Sequence, residues 1–225
     1  MWSTKLFGLF LLSAFTLYPP STMAQPVFDL DGHPVINGGS YYIMEYMGSG
    51  VELAKTGNET CPLSVVQSSS FGSTGLPVKI SSMLRTPFVT IGRVDLSFTG
   101  VPDCATTPSG WTVVEGLPEG SVVKITGYEN TENGHFLIEK ASFRNIYKLS
   151  FCIVGKLGCG TIGLIKDDKQ NDLLGVTWDY AFEFVLEKTD DQPTSSSAWT
   201  LMKHWSTMRN GLLSRGERHV CDDDK

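Results

Sequence analysis

Positive charge is scarce. Eighteen lysines and arginines stand against 24 aspartates and glutamates, leaving the 225-residue chain at −6. A surface of that sign has no sequence-independent attraction for nucleic acid or anionic lipid, and no basic stripe in the central region offsets it. Histidine is scarcer still, with four scattered residues, and no cysteine pair has tight zinc-like spacing, so no metal site is expected. A Gly-x-Ser-x-Gly elbow and a phosphate-cradling glycine loop are both missing. No nucleophile with a base and no obvious carboxylate pair comes into view. His33 and His135 sit beside Pro34 and Gly134 in expected turns, where an exposed imidazole is the ordinary state; His204 and His219 fall near the end of the chain. These absences exclude nucleic-acid and membrane partners, argue against an enzyme, and favour a binding module that needs no cofactor.

Long apolar runs are also rare, with one exception. Leu6 to Tyr18 is apolar, follows Lys5, and is closed by Pro19-Pro20 and the small-residue stretch Ser21-Thr22-Met23-Ala24. Residues 1–24 therefore read as a secretory signal peptide cleaved after Ala24. A membrane span needs a longer uninterrupted segment. A secreted chain, bound for the cell-wall space or a vacuole, is expected, and an oxidising route makes disulfides the default for paired thiols. Of the five cysteines, Cys61, Cys104, Cys152 and Cys159 lie in the central part and Cys221 near the end, which suggests two bridges and an odd thiol. Three pairings are open for the first four. Cys152 and Cys159 flank a short Gly-rich stretch and are natural local partners, which would leave Cys61 with Cys104. A loop of that length, once closed, stabilises by roughly 4 kcal/mol in the chain-entropy description.

Between Pro26 and Lys188 helical periodicity is nearly absent, and short alternating or β-branched runs take its place. Strands are predicted at 40–44, 63–66, 78–80, 94–98, 111–114, 122–125, 136–138, 147–151, 162–165 and 181–186. Asn37-Gly38-Gly39, Pro118-Glu119-Gly120 and Asn133-Gly134 supply the residues that turns with positive φ require. About a dozen short strands at regular spacing indicate an all-β barrel or sandwich. One domain over 25–188 is expected. Beyond it, 189–225 is a C-terminal extension, expected to be loosely ordered. Within it Trp199, Met202, Trp205, Met208, Leu212 and Leu213 have the spacing of an amphipathic helix.

Several ordered motifs add a specific resemblance. Phe28-Asp29-Leu30-Asp31-Gly32-His33-Pro34, Asn37-Gly38-Gly39-Ser40-Tyr41-Tyr42-Ile43 and Thr56-Gly57-Asn58-Glu59-Thr60-Cys61-Pro62-Leu63-Ser64-Val65-Val66-Gln67 resemble the plant Kunitz soybean-trypsin-inhibitor family. So do Trp111 to Gly120 and Tyr147-Lys148-Leu149-Ser150-Phe151-Cys152. The resemblance covers about 26–188. It implies a β-trefoil of twelve strands in three pseudo-repeats, the disulfides Cys61–Cys104 and Cys152–Cys159, and a monomeric inhibitor of serine endopeptidases.

In that family the inhibitory loop follows an Ile-Ser-Ser segment, here Ile80-Ser81-Ser82-Met83-Leu84-Arg85-Thr86-Pro87-Phe88. The resemblance therefore makes Arg85 the specificity residue and Arg85–Thr86 the bait bond, with Asn37 at the position that braces the loop from behind. A permanently charged, planar guanidinium suits the acidic pocket of a trypsin-like enzyme. Pro87 acts in two directions. It removes a backbone N–H that a substrate-like loop would donate, at about 0.5–1.5 kcal/mol, and it biases Thr86 toward extended geometry. Lys156, between Cys152 and Cys159, is a second candidate bait. Asn58-Glu59-Thr60 is an N-glycosylation sequon. The alternative class is a non-inhibitory trefoil, a miraculin-like binding or storage protein, since fold alone does not fix function.

Overall fold

The structure, a computed structural model, describes residues 25–105, 109–125, 130–141 and 143–190. The expected signal peptide, the tail from 191 onward and Cys221 lie outside the described residues. Twelve strands occur among them: β1 (Gly39–Glu45), β2 (Val51–Ala54), β3 (Ser64–Gln67), β4 (Val78–Ser82), β5 (Gly92–Phe98), β6 (Trp111–Leu117), β7 (Gly120–Ile125), β8 (Gly134–Lys140), β9 (Tyr147–Ile153), β10 (Cys159–Lys166), β11 (Asp172–Thr177) and β12 (Phe184–Lys188). Ten coincide with the predicted runs. β2 and β11 were not predicted, because Val-Glu-Leu-Ala and Asp-Leu-Leu-Gly-Val-Thr are poor in the β-branched and aromatic residues that favour a pleated surface. The last strand starts later than expected, at Phe184, where pairing with the end of β1 begins at Glu45.

The pairing closes a ring. β1 pairs with β4, β4 with β5, β5 with β8, β8 with β9, β9 with β12 and β12 with β1, all antiparallel. The other six strands form the hairpins β2–β3, β6–β7 and β10–β11. Their strands β3, β7 and β11 pair with one another pairwise, so the hairpins form a triangular cap on one end of the barrel. Each unit of four strands gives its first and last to the barrel and its middle two to the cap. This is the β-trefoil.

Alternation builds the core. In β1 the buried positions are Gly39, Tyr41 and Ile43, and in β8 they are Phe136 and Ile138, while their neighbours face outward. The barrel strands supply most of one large cluster. The cap has its own small one, with Val66 from β3, Val122 from β7 and Leu173 from β11. Cys61–Cys104 and Cys152–Cys159 are both formed. The first ties the β2–β3 loop to the β5–β6 connection, and the second closes the turn between β9 and β10.

At the end away from the cap, residues 25–38 run beneath the barrel. Two core tyrosines hold them: Tyr147 Oη accepts the Phe28 N–H at 2.8 Å and Tyr41 Oη accepts the Ile36 N–H at 2.9 Å. Both phenols titrate above the ordinary tyrosine range, because burial disfavours the phenolate; the nearby Asp29 carboxylate adds to this, and the backbone donors work against it. The neutral phenol is thus preferred by the folded state. Its contribution is complete below the unfolded pKa of about 10 and is lost as pH rises through the folded value. Urea unfolding followed against pH should show stability falling above about pH 10. Tyr147→Phe should flatten that fall and cost about 1–3 kcal/mol at neutral pH, since it leaves a backbone donor unpaired.

Candidate functional site

The connection from β4 to β5 leaves the open end of the barrel. Its first arm continues β4, which is held on both sides by β1 and β5. The second arm is fixed by the N-terminal segment: Ile36 bridges Phe88 and Pro26 bridges Thr90. Val89 donates to the Val35 carbonyl and accepts from the Val27 N–H. Between these arms Met83, Leu84, Arg85, Thr86 and Pro87 are all exposed. An exposed apolar pair, Met83 and Leu84, precedes the arginine. Among the described residues, Arg85 forms no ion pair, which leaves its guanidinium available to a partner.

Asn37 joins the two arms. The Ile36–Gly39 turn, with Gly38 at φ 79° and the Gly39 N–H donating to the Ile36 carbonyl at 3.0 Å, places Asn37 directly behind the loop. Its Nδ2 donates to the carbonyls of Ser82 at 3.3 Å, Leu84 at 3.1 Å and Thr86 at 3.1 Å. Its Oδ1 accepts the Ser82 N–H at 2.8 Å, and its own backbone N–H donates to the Pro87 carbonyl at 2.9 Å. One residue therefore grips the chain on both sides of the Arg85–Thr86 bond. The Thr86 N–H donates to the Leu84 carbonyl at 2.8 Å, a three-residue turn centred on Arg85. Thr86 Oγ1 donates to the Phe88 carbonyl at 2.8 Å, and Ser82 Oγ accepts the Leu84 N–H at 3.3 Å. Inward carbonyls and an outward side chain follow from this arrangement.

The second candidate has a different geometry. Lys156 follows a tight turn in which its N–H donates to the Ile153 carbonyl at 3.2 Å and Gly155 takes φ 84°. Its ammonium lies 3.6 Å from Glu132 Oε1. That segment is curled where the 82–88 segment is braced from behind. Asn58 is exposed on the β2–β3 loop. Asp29, Asp31 and His33, which the sequence did not single out together, bring their ligand-type atoms within 4.8 Å of one another. A turn explains the grouping: Asp29 Oδ1 accepts the His33 N–H at 2.7 Å, and Gly32 sits at φ 80°. The contribution missed by sequence reasoning is that of residues 25–36, which fix the second arm. Its only signal was the Asp31-Gly32-His33-Pro34 turn, which says the segment folds back but not onto what.

Comparison with known proteins places this arrangement in a family. The family described as trypsin and protease inhibitor, the legume Kunitz group, matches residues 27–188. The chain is 41% identical over 170 residues to trypsin inhibitor DE-3 of Erythrina caffra, covering 73% of this chain and 98% of that protein. It is 40% identical over 177 residues to chymotrypsin inhibitor ECI of Erythrina variegata, covering 74% and 98%. Among solved structures it resembles soybean trypsin inhibitor in its complex with porcine pancreatic trypsin, with a TM-score of 0.69, 38% identity, and coverage of 74% of this chain and 100% of that one. The braced loop thus stands on the scaffold that these relatives share, and the chain belongs to the legume Kunitz family of trypsin and protease inhibitors.

Proposed function

We propose that this protein is a substrate-like inhibitor of trypsin-like serine endopeptidases, offering Arg85–Thr86 as the bait bond. The observation that supports it most is the Asn37 brace, which holds the exposed loop at Ser82, Leu84, Thr86 and Pro87. A loop already fixed in its bound shape loses little freedom on docking. Family membership makes the chain an inhibitor and not an enzyme. It does not choose the target, because relatives of similar identity are named for trypsin and for chymotrypsin. That choice falls to the side chain entering the protease's specificity pocket. Arginine there is long, planar and always charged, and matches an acidic pocket floor.

The brace also explains slow turnover. When the protease serine attacks the Arg85 carbonyl, the departing group is the Thr86 amine. The carbonyls of Thr86 and Pro87 remain tied to Asn37, so the amine stays beside the acyl-enzyme at high effective concentration and re-forms the bond. Pro87 has no N–H to give, and its carbonyl faces inward onto Asn37. Passage through the secretory route, to the cell-wall space or a vacuole, and action as a monomer complete the proposal. Among the described residues no helix is long and apolar enough to cross a membrane. The storage-protein alternative has no comparable support, since it leaves the braced loop without a purpose.

Titration of trypsin with the oxidised protein should give stoichiometric inhibition. Arg85→Ala should weaken it by about 4 kcal/mol or more, on the order of a thousandfold. Trypsin binding that survives Arg85→Ala would refute the bait assignment and redirect attention to Lys156. Asn37→Asp tests the brace separately. It keeps an acceptor for the Ser82 N–H but cannot donate to three carbonyls, and should weaken inhibition by about 2–4 kcal/mol. Hydrolysis of the Arg85–Thr86 bond, followed by mass spectrometry, should quicken in the same variant while urea unfolding of the barrel changes much less.

A further inference from the structure

We propose that Asn58 is N-glycosylated and that the first N-acetylhexosamine of its glycan lies in the cavity at the cap end of the trefoil. The inference rests on the secretory route proposed above but not on protease inhibition.

The sequon Asn58-Glu59-Thr60 sits in the loop joining β2 to β3. The Glu59 N–H donates to the Thr56 carbonyl at 3.1 Å, and Gly57 takes φ 52°, so the chain turns sharply just before the sequon. Asn58 and Thr60 are exposed, whereas Glu59 points inward. Its carboxylate accepts from the Thr56 N–H at 2.9 Å, from Ser64 Oγ at 3.1 Å, and from Lys124 Nζ at 2.5 Å. The middle residue is thereby anchored, and the two residues that define a glycosylation acceptor face solvent. The folded chain can carry a bulky, hydrated substituent there without displacing any core group.

At the anomeric carbon the transfer forms one bond and breaks one. Asn58 Nδ2 bonds to C1 of the first N-acetylglucosamine of an oligosaccharide borne on a polyprenyl pyrophosphate. The C1–O bond to the pyrophosphate breaks, the carrier leaves with that electron pair, and the amide nitrogen gives up one proton to the solvent.

A cavity of about 490 Å³ opens beside the acceptor, with Asn58 itself part of its lining. This size falls within the range of small-ligand sites, about 300–1,000 Å³. All three hairpins contribute: Glu59 from the β2–β3 loop, Leu117 from the end of β6 with Pro118 and Glu119 from the β6–β7 turn, and Asp168 from the β10–β11 turn. Lys169 Nζ reaches across to the Gly57 carbonyl at 3.0 Å, joining two of the tips. Leu117 and Pro118 offer an apolar wall to the C–H face of a pyranose. Glu119 and Asp168 offer acceptors to its hydroxyl and amide donors. A sugar joined to Asn58 needs only weak affinity of its own to occupy the cavity, because the covalent link holds it there at high effective concentration. This glycan lies at the opposite end of the barrel from Arg85, so it does not obstruct the bait loop.

The full chain should be produced in plant cells as the wild type and as Thr60→Ser and Thr60→Ala. Intact mass should exceed the sequence mass by one oligosaccharide in the wild type and Thr60→Ser, and not in Thr60→Ala. Treatment with a peptide N-glycanase should remove it and leave aspartate at 58. Amide hydrogen exchange should be slower at Leu117, Glu119 and 167–169 in the glycosylated protein than in Thr60→Ala, with trypsin inhibition equal in all three. Wild-type protein without added mass overturns the proposal. A glycan present with exchange at those turns unchanged overturns the seat in the cavity. Loss of trypsin inhibition in the wild type would count against the proposed function while leaving the mass result to decide this one.

Discussion

The structure depends on the closure of a six-stranded ring. β12 must pair with β1 over Tyr41–Glu45 and also reach β9 at Phe184 and Tyr147. Closure removes the free edges of the barrel and fixes the distance between every pair of strand ends. The ends of β4 and β5 are one such pair. The segment between them is therefore suspended from two immovable points, and its shape is settled by the few contacts it makes on the way across.

Those contacts come from a segment that belongs to no strand. Residues 25–38 are held by two phenols rooted in the barrel core and in turn hold Phe88, Val89 and Thr90. Asn37 closes the arrangement from behind. The pseudo-threefold scaffold repeats its hairpins three times, but the N-terminal segment exists once, and its side-chain brace from Asn37 serves the connection that follows β4. Symmetry in the frame thus coexists with a single braced loop, because chain entry breaks the symmetry at one corner.

Much of the fold was legible because burial in a pleated strand leaves a period of two. Tyr41 and Ile43, Val94 and Leu96, and Phe136 and Ile138 announce their strands in this way. β2 and β11 were silent, since Val-Glu-Leu-Ala and Asp-Leu-Leu-Gly-Val-Thr are poor in β-branched and aromatic residues, and β11 buries Leu173, Leu174 and Gly175 in succession and so shows no alternation. The disulfides were legible from spacing joined to resemblance. The proposal of Arg85 as the bait rests on its place in an ordered motif; an exposed arginine in a loop has no signature of its own. The five backbone contacts of Asn37 span 45 to 50 positions along the chain and could be named from sequence only as a family expectation. The anchoring by Tyr41 and Tyr147 went unread, because a tyrosine whose ring fills a core and whose hydroxyl serves the periphery looks in sequence like any other strand aromatic.

Cys61 and Cys104 lie on either side of residues 85 and 86. The proposed bait bond is therefore one link in a covalent ring, not a link in an open chain. Cutting it opens the ring without creating a second molecule, so the clipped protein keeps its mass apart from one water and both new ends stay on the same body. For the protease, hydrolysis gains almost none of the translational entropy that normally drives peptide cleavage toward products. Clipped and intact forms are thus left nearly balanced for as long as the sulfurs stay oxidised, and only a reducing compartment would let the clipped form separate into two fragments.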